Sequence, residues 1–386
     1  MTDFSRKELE RYSRHLIIPE FNLQGQQKLK AARVLVVGCG GLGAPLLSYL
    51  AAAGVGTIGL LDYDVVDESN LQRQVLFSVN DVGRPKVEAA AERLHAQNPH
   101  IQLQTYQTKL TSANAIDIIQ NYDIVADGTD NFPTRYLVND ACVLLGKVNI
   151  YASVYRFEGQ LSVFNYVDSE GKRYPNYRDL FPAPPPPGQV PSCAEGGVLG
   201  VLPGIMGSLQ ANEVIKVITG LGEPLAGRLF IFDTLSFESR TLKIHPHPEN
   251  PLTGKNPTQT QLIDYEQFCG LPSQEVSLSS KVKEIDVQQF RQMRENKEDY
   301  QLIDVREPYE YDIAHLGGEL MPGKDIDQYV EKIHRDKKVV VHCRSGVRSS
   351  RVIEKLEKQY GFSNLYNLRG GLLAWAEEVD PAMPVY

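Results

Sequence analysis

The sequence predicts an α/β protein: a larger unit built on a parallel sheet, followed by a smaller α/β unit. Three observations predict it. Short β-rich runs alternate with helical stretches from residue 33 to about 150, a glycine-rich turn at 38–43 joins the first strand of that alternation to its first helix, and a second, shorter alternation begins near Lys281.

Size and composition allow this and narrow the function. A chain of 386 residues with 42% hydrophobic content can bury two cores. The net charge of −8 comes without a long basic tract, so a nucleotide or protein partner is expected and a nucleic-acid partner is not. The cysteines Cys39, Cys142, Cys193, Cys269 and Cys343 are widely spaced and odd in number, and the polar start shows no cleavable apolar leader. A reducing, cytoplasmic setting is expected. The most apolar stretch, 42–61, is broken by Pro45, Ser48, Gly54, Gly56 and Gly59, so it reads as a helix then a strand and no membrane partner is expected.

Taken in order, the runs VLVVG, TIGLLD, IQLQTY, DIVADG and KVNIYA read as strands, and 85–97 reads as a helix. Residues 168–198 concentrate Pro, Gly and polar residues without a period, predicting a long mobile loop with Cys193 near its end. An apolar helical stretch over 198–220 and the strands RLFIFD and RTLKIH complete a first domain, 1–250. The Pro, Asn, Thr, Gln and Ser content of 251–280 suits a linker. A second domain, 281–386, carries the runs YQLIDV and KVVVHC and helices near 347–359 and 372–378.

Gly38-Cys39-Gly40-Gly41-Leu42-Gly43 is a G-x-G-x-x-G turn between a strand and a helix, where Gly38, Gly40, Gly41 and Gly43 let the backbone approach phosphates at a positive helix end. Asp62, at the end of the next strand, is placed to accept hydrogen bonds from ribose hydroxyls. These features alone describe any Rossmann-like nucleotide binder, an NAD-dependent oxidoreductase included. Further residues separate the readings: the segment Asp67-Glu68-Ser69-Asn70-Leu71-Gln72-Arg73-Gln74, then Gly83-Arg84-Pro85-Lys86, and Asp127-Gly128-Thr129-Asp130-Asn131. Their cations and carboxylates suit a triphosphate and a metal better than hydride transfer. A lone Arg73 or Lys86 would ordinarily be a solvated surface charge.

The linked motifs GCGGLG, SNLQRQ, GRPK and DGTDN, in this order across residues 10–245, resemble the MoeB/ThiF and ubiquitin-activating-enzyme-like adenylyltransferases. The resemblance implies a Rossmann-like ATP-binding domain in which Asp62 holds the ribose, Asn70, Arg73 and Lys86 hold the phosphates, and Asp130 binds Mg²⁺ beside Asn131. It further implies a homodimer in which Arg14, from RYSRH, enters the neighbouring subunit's ATP site. The residue types suit the reaction: a carboxylate attacking the α-phosphate builds charge on oxygens that cations stabilise, and no side chain need act as nucleophile. Asn131, Arg135 and Asp140 follow on a helix and read equally well as caps or surface residues, so Arg135 and Asp140 stay outside the expected site.

Many members of that family hold a structural zinc with two C-x-x-C pairs. Here the first position reads Asn176-Tyr177-Arg178-Asp179, and the second region, HPHPENPLTGKNP, offers only His245 and His247. Tetrahedral zinc needs four good ligands. No structural zinc is therefore expected, with proline-rich packing in its place.

In the second domain a buried strand leads into Cys343, with Arg344, Ser345, Gly346, Val347 and Arg348 before a helix. Backbone N–H groups and a helix N-terminus there can activate a thiol and hold an anionic persulfide. A tyrosine-phosphatase loop has the same architecture but would place Arg where Ser349 stands. The shorter loop, with Asp304, Arg306, Glu307, Glu310, Tyr311 and His315 upstream, resembles the rhodanese family over residues 281–386. Asp304 and Arg306 read as structural and His342 as a packing residue.

Together the two resemblances imply an adenylyltransferase and sulfurtransferase using ATP and Mg²⁺. Its expected partners are a ubiquitin-like sulfur carrier with a C-terminal Gly-Gly and a persulfide donor such as a cysteine desulfurase, in a molybdopterin, thiamine or tRNA-thiolation type of pathway. Cys193 matches a cysteine that relatives place near the adenylate, either as a glycyl thioester or as the thiol that resolves an acyl persulfide. Cys39 answers the need for a small side chain, and Cys142 and Cys269 carry no motif. An NAD oxidoreductase and a non-catalytic carrier-binding protein are the alternatives.

Overall fold

The computed structural model describes residues 4–186, 196–270 and 282–386. They fall into two compact units, one up to residue 270 and one from residue 282. No helix among the described residues is long and apolar enough to cross a membrane.

The first unit is an eight-stranded sheet of β1 (Arg33–Val37), β2 (Thr57–Leu61), β3 (Gln102–Tyr106), β4 (Ile124–Asp127), β5 (Val148–Tyr155), β6 (Glu158–Phe164), β7 (Arg228–Asp233) and β8 (Glu238–Lys243). Its order is β3-β2-β1-β4-β5-β6-β7-β8, parallel through β5 and antiparallel beyond. β1 is buried everywhere after Arg33, with Val34 and Val36 in one apolar layer and Leu35 and Val37 in the other. Such a strand can be apolar throughout only because helices cover both faces. Between β1 and β4 the strand order reverses, which opens a crevice at the carboxyl ends of the strands.

Helix α1 (Gly43–Ala53) begins in that crevice and stops at Gly54, whose φ of +85° supplies a left-handed cap. A Cβ on Gly43 would lie 2.0 Å from the Gly38 carbonyl oxygen, so the turn admits only glycine there. α2 (Lys86–Gln97) follows β2, and α3 (Phe132–Leu145) follows β4 with Asn131 as N-cap, its side chain accepting the Thr134 N–H at 3.0 Å. α4 (Tyr177–Leu180), α5 (Val201–Thr219) and α6 (Tyr265–Phe268) belong to the same unit.

Two expected irregular stretches are partly ordered. Within the expected loop 168–198, α4 carries a capping box between Asn176 and Asp179 and buries Tyr177 and Arg178. Within the expected linker 251–280, residues 251–270 fold back on α3: Tyr265 Oη and Gln259 Nε2 each donate to Asp140 at 2.8 Å, and Phe268 meets Tyr136 edge-on. The polar residues that gave this stretch a linker's composition are the ones that hydrogen-bond it down.

Where proline-rich packing was expected, the structure shows a polar staple. Asn176 Nδ2 donates to Thr253 Oγ1 at 2.9 Å, while Asn250 Nδ2 and the His247 N–H donate to Asp179 Oδ1 at 2.8 Å. Beneath it Arg178 grips Asp140 through two hydrogen bonds of 2.8 and 2.7 Å, both side chains out of solvent. Removing one partner of such a pair costs about 3–5 kcal/mol because the other charge is left buried.

The second unit is a five-stranded parallel sheet of β9 (Glu284–Ile285), β10 (Tyr300–Asp304), β11 (Glu319–Leu320), β12 (Lys338–His342) and β13 (Leu365–Leu368), in the order β11-β10-β12-β13-β9. Central β12 buries Val339 and Val341 on one side and Val340 on the other. It ends at Cys343, ahead of α7 (Val347–Tyr360); α8 (Gly371–Glu378) closes against the same loop.

Candidate functional site

In the first unit the crevice at the strand ends is a cavity of about 420 Å³. Gly38, Gly40, Gly41, Asp62, Asn70, Arg73, Lys86, Asp130 and Asn131 line it, so those separated motifs converge on one space. Gly43 sits behind, at the start of α1. Gly38 takes φ +93°, and Gly40 and Gly41 bring bare backbone to the cavity wall.

Asp62 is fixed from two sides: Oδ2 accepts the Cys39 N–H at 2.8 Å and Oδ1 the Asp64 N–H at 2.9 Å. Burial pushes its carboxyl up, against the opposing pull of the Asp64 amide and the Lys86 charge. Lys86 at the start of α2 is buried to its tip and pairs with the half-exposed Asp64 at 2.9 Å. Arg73 donates to the Ser69 carbonyl at 3.1 Å, on the turn that Asp67 caps and that presents Asn70.

The carboxylate side of the cavity rests on β4. Asp127 Oδ1 accepts from the Thr129 N–H at 2.9 Å and its hydroxyl at 2.6 Å, whereas Oδ2 is buried without a partner. Burial raises the Asp127 carboxyl. Arg135, expected as a cap or surface residue, is buried and donates to the Thr129 carbonyl at 3.0 Å, steadying the turn that presents Asp130. Asp140, expected likewise, is fully buried under Arg178. Both have polar partners waiting inside the fold, which no local pattern discloses.

Gln74, Asp64 and Lys109 also line the cavity, and Gln74 Oε1 is buried without a partner. A neighbouring chamber of about 730 Å³ shares Lys109, Leu110 and Asp130 and takes a wall from Leu262, Ile263 and Tyr265. Glycine backbone, cations at Arg73 and Lys86 and a fixed carboxylate at Asp62 form a lining that fits a nucleoside triphosphate. Arg14 is exposed on the helix Ser13–Leu16 and does not line this cavity. Cys193 lies outside the described residues.

In the second unit Cys343 is fully buried. Its Sγ accepts the Gly346 N–H at 3.2 Å and lies 3.4 Å from Ser349 Oγ, which donates to Asn367 Oδ1 at 2.7 Å. Gly346 holds φ +89° to begin α7. Gly371 also has positive φ, and a Cβ there would lie 2.5 Å from the Cys343 carbonyl oxygen; the Leu372 and Leu373 N–H groups donate to the Cys343 and Arg344 carbonyls at 3.0 Å. Ser345 and Val347 are exposed on the loop.

The loop's two arginines differ. Arg348 is held by Glu310 in a bidentate pair of 2.7 and 2.6 Å. Burial acts to raise the Glu310 carboxyl, but these hydrogen bonds and the Arg348 charge hold it below the usual carboxylate range. Arg344 has a buried Nε without a hydrogen-bond partner and lies over the Tyr386 ring, 5.4 Å from its centroid. Asp304 and Arg306 form a fully buried ion pair, and His342 is buried with neither ring nitrogen hydrogen-bonded. Burial pushes His342 down to about 4, so it is neutral. Glu310 was legible only as a motif letter, Ser349 only as the position where a phosphatase loop would need Arg, and Asn367 and Tyr386 carried no spacing signal at all.

Comparison with known proteins finds a family for each unit. Residues 12–252 match the ThiF family, and residues 286–378 match the rhodanese-like domain. The chain is 49% identical over 385 residues to a probable adenylyltransferase/sulfurtransferase MoeZ of Mycobacterium tuberculosis (strain ATCC 25618 / H37Rv), covering 99% of this chain and 96% of that one. It is 42% identical to the adenylyltransferase and sulfurtransferase MOCS3 of Bos taurus, covering 99% and 88%. With a sulfur carrier protein adenylyltransferase of Thermus thermophilus it shares 52% identity over 69% of this chain and 99% of that one. Among solved structures, E. coli MccB with ATP superposes with a TM-score of 0.55 at 25% identity, covering 65% of this chain and 75% of that one.

Proposed function

From a chain that belongs to the ThiF family and carries a rhodanese-like domain, we infer an adenylyltransferase and sulfurtransferase that converts the C-terminal glycine of a ubiquitin-like sulfur carrier to a thiocarboxylate. The observation that carries this reading is the presence, on one chain, of a cation-lined cavity and a buried cysteine that accepts the Gly346 N–H in a loop with Arg344 and Arg348.

In the first step the carrier carboxylate attacks the α-phosphorus of ATP and pyrophosphate leaves. Arg73, Lys86 and Asn70 bind the phosphates, Asp62 holds the ribose, and the glycine backbone leaves room for both. Asp130 would hold Mg²⁺, which would supply neutralisation of phosphate charge when bound. Arg14, exposed and away from its own cavity, suits a role in a partner subunit of a homodimer.

In the second step the terminal sulfur of a Cys343 persulfide attacks the glycyl carbonyl carbon, AMP leaves, and an acyl persulfide forms. Attack of the Cys193 thiolate on the Cys343 sulfur then forms a disulfide and frees the thiocarboxylate; an external thiol reduces the disulfide. Cys193 as a glycyl thioester is the other order of events.

Intact-mass measurement of the carrier, incubated with enzyme, Mg-ATP and a cysteine-desulfurase persulfide donor, tests this. Gain of a C-terminal thiocarboxylate that vanishes in Cys343→Ala is expected. Undiminished turnover in Cys343→Ala would refute the persulfide role, and NAD binding without ATP binding would refute the whole reading.

A further inference from the structure

Cys343 is fully buried, so every reaction at Sγ requires part of its surroundings to move. Backbone holds one side: Gly346 N–H on Sγ, and α8 tied to the Cys343 and Arg344 carbonyls. These contacts belong to helix starts and strand ends, and breaking them would dismantle the unit's centre.

A side chain from the end of the unit also engages the loop's cations. After α8 the chain turns at Asp380, whose N–H donates to the Trp375 carbonyl, and lays Met383 and Tyr386 against the apolar layer below. The Tyr386 hydroxyl accepts from Arg306 and donates to Glu310 Oε1 at 3.2 Å, on the carboxylate that grips Arg348. Its ring lies against Arg344. One tyrosine thus touches Arg344 directly and Arg348 through Glu310, spanning the two cations that flank the sulfur loop. Burial pushes the hydroxyl up to about 12, so it keeps the proton that it donates to Glu310.

We propose that Tyr386 is the latch of the sulfur site: it pins Arg344 and the Glu310–Arg348 pair across the loop, and it swings out when a persulfide donor or a carrier tail comes in. Its anchors suit reversible release. A stacking contact and two hydrogen bonds on a short segment open locally at far less cost than a helix start. The incoming group takes over the surface that Tyr386 leaves, between Arg306, Glu310 and Arg344. The identity of that group rests on the sulfur-transfer reading; the latch does not.

The test is the rate of iodoacetamide alkylation of the full-length chain, followed by intact mass with peptide mapping, for the wild type, Tyr386→Ala and Tyr386→Phe. Tyr386→Ala is expected to speed alkylation of Cys343 by roughly fivefold or more, as loss of a hydrogen-bonded and stacked anchor raises the open population. Tyr386→Phe keeps the ring on Arg344 and is expected to fall between, which a merely structural loss would not produce. A Cys343 rate within about twofold of wild type in Tyr386→Ala overturns the latch. So does a fall in the second unit's urea midpoint large enough to account for the faster rate, because that reports general loosening of the unit. Faster Cys343 alkylation together with a carrier that never becomes a thiocarboxylate would sink the proposed function and leave the latch standing.

Discussion

The nucleotide cavity and the Cys343 loop occupy equivalent places in their own sheets, each following a central buried strand and leading into a helix, yet one is open and the other shut. After β1 the turn brings glycine backbone to an open cavity, and Gln74 on its wall has a buried Oε1 without a partner. After β12 the turn closes around one sulfur atom, and of the cations beside it Arg348 is engaged by a carboxylate and Arg344 by a ring. Strand-loop-helix geometry therefore does not decide how a site meets its reactant. The side chains brought to it from elsewhere do: the first site keeps a preformed space, whereas the second keeps its sulfur atom out of solvent.

This contrast between open and shut can be challenged from either side. The largest effect is expected at the open site. Lys86→Ala removes a buried cation from the cavity wall, and on the proposed function carrier-dependent ATP–pyrophosphate exchange should fall by about 10²–10³-fold with little change in melting temperature. An equal loss of stability would mean that Lys86 is structural.

At the shut site Glu310→Ala strands Arg348 and unhooks Tyr386. Urea denaturation of the second unit should show a loss of about 1.5–3 kcal/mol, the range for hydrogen bonds to charged groups. In the wild type this contribution is present above the ordinary glutamate range and is lost as pH falls through the lowered Glu310 value.

His342 refines the contrast in a milder way. It stays neutral in the folded chain down to about 4 against an ordinary 6.5, so the unfolded state binds the extra proton first. Stability of the second unit should drop as pH falls from about 6.5 to about 4, with a slope of up to about 1.4 kcal/mol per pH unit. Urea midpoints across that window, flattened in His342→Gln, would check it. The smallest effect is expected from a zinc chelator, which should move the melting temperature by no more than about 1 °C if the polar staple alone ties Asn176 and Asp179 to Asn250 and Thr253.

The lining of the first unit's cavity was legible because the motifs that supply it are local. A phosphate cradle needs glycine at set positions in one turn, and each further motif is a short run, so Gly38, Asp62, Asn70, Arg73, Lys86 and Asp130 could be named before their convergence was seen. The alternation of strands and helices was legible for the same reason. What could not be read are partners distant in sequence. Glu310 meets Arg348, Tyr386 meets Arg306, and Asn176 meets Thr253 across long separations, and no spacing rule connects them. The stretch 251–270 misleads because polar, proline-rich composition is shared by linkers and by segments fastened through side-chain hydrogen bonds. Arg135 and Asp140 mislead in the same way, since charge in a sequence announces polarity and not whether a partner is waiting inside.

The staple of Asn176, Asp179, Asn250 and Thr253 has a further consequence for a protein that handles labile sulfur. A zinc–thiolate clasp would place four nucleophilic thiolates on the framework, each able to pick up a stray sulfur atom and let the metal go. Amide and carboxylate groups cannot be persulfidated. Burial pushes up the thiols of Cys39, Cys142 and Cys269, which leaves them poor acceptors as well. Among the described residues that leaves Cys343 as the berth proposed for the cargo, and the hull around it is made of material that such a cargo does not corrode.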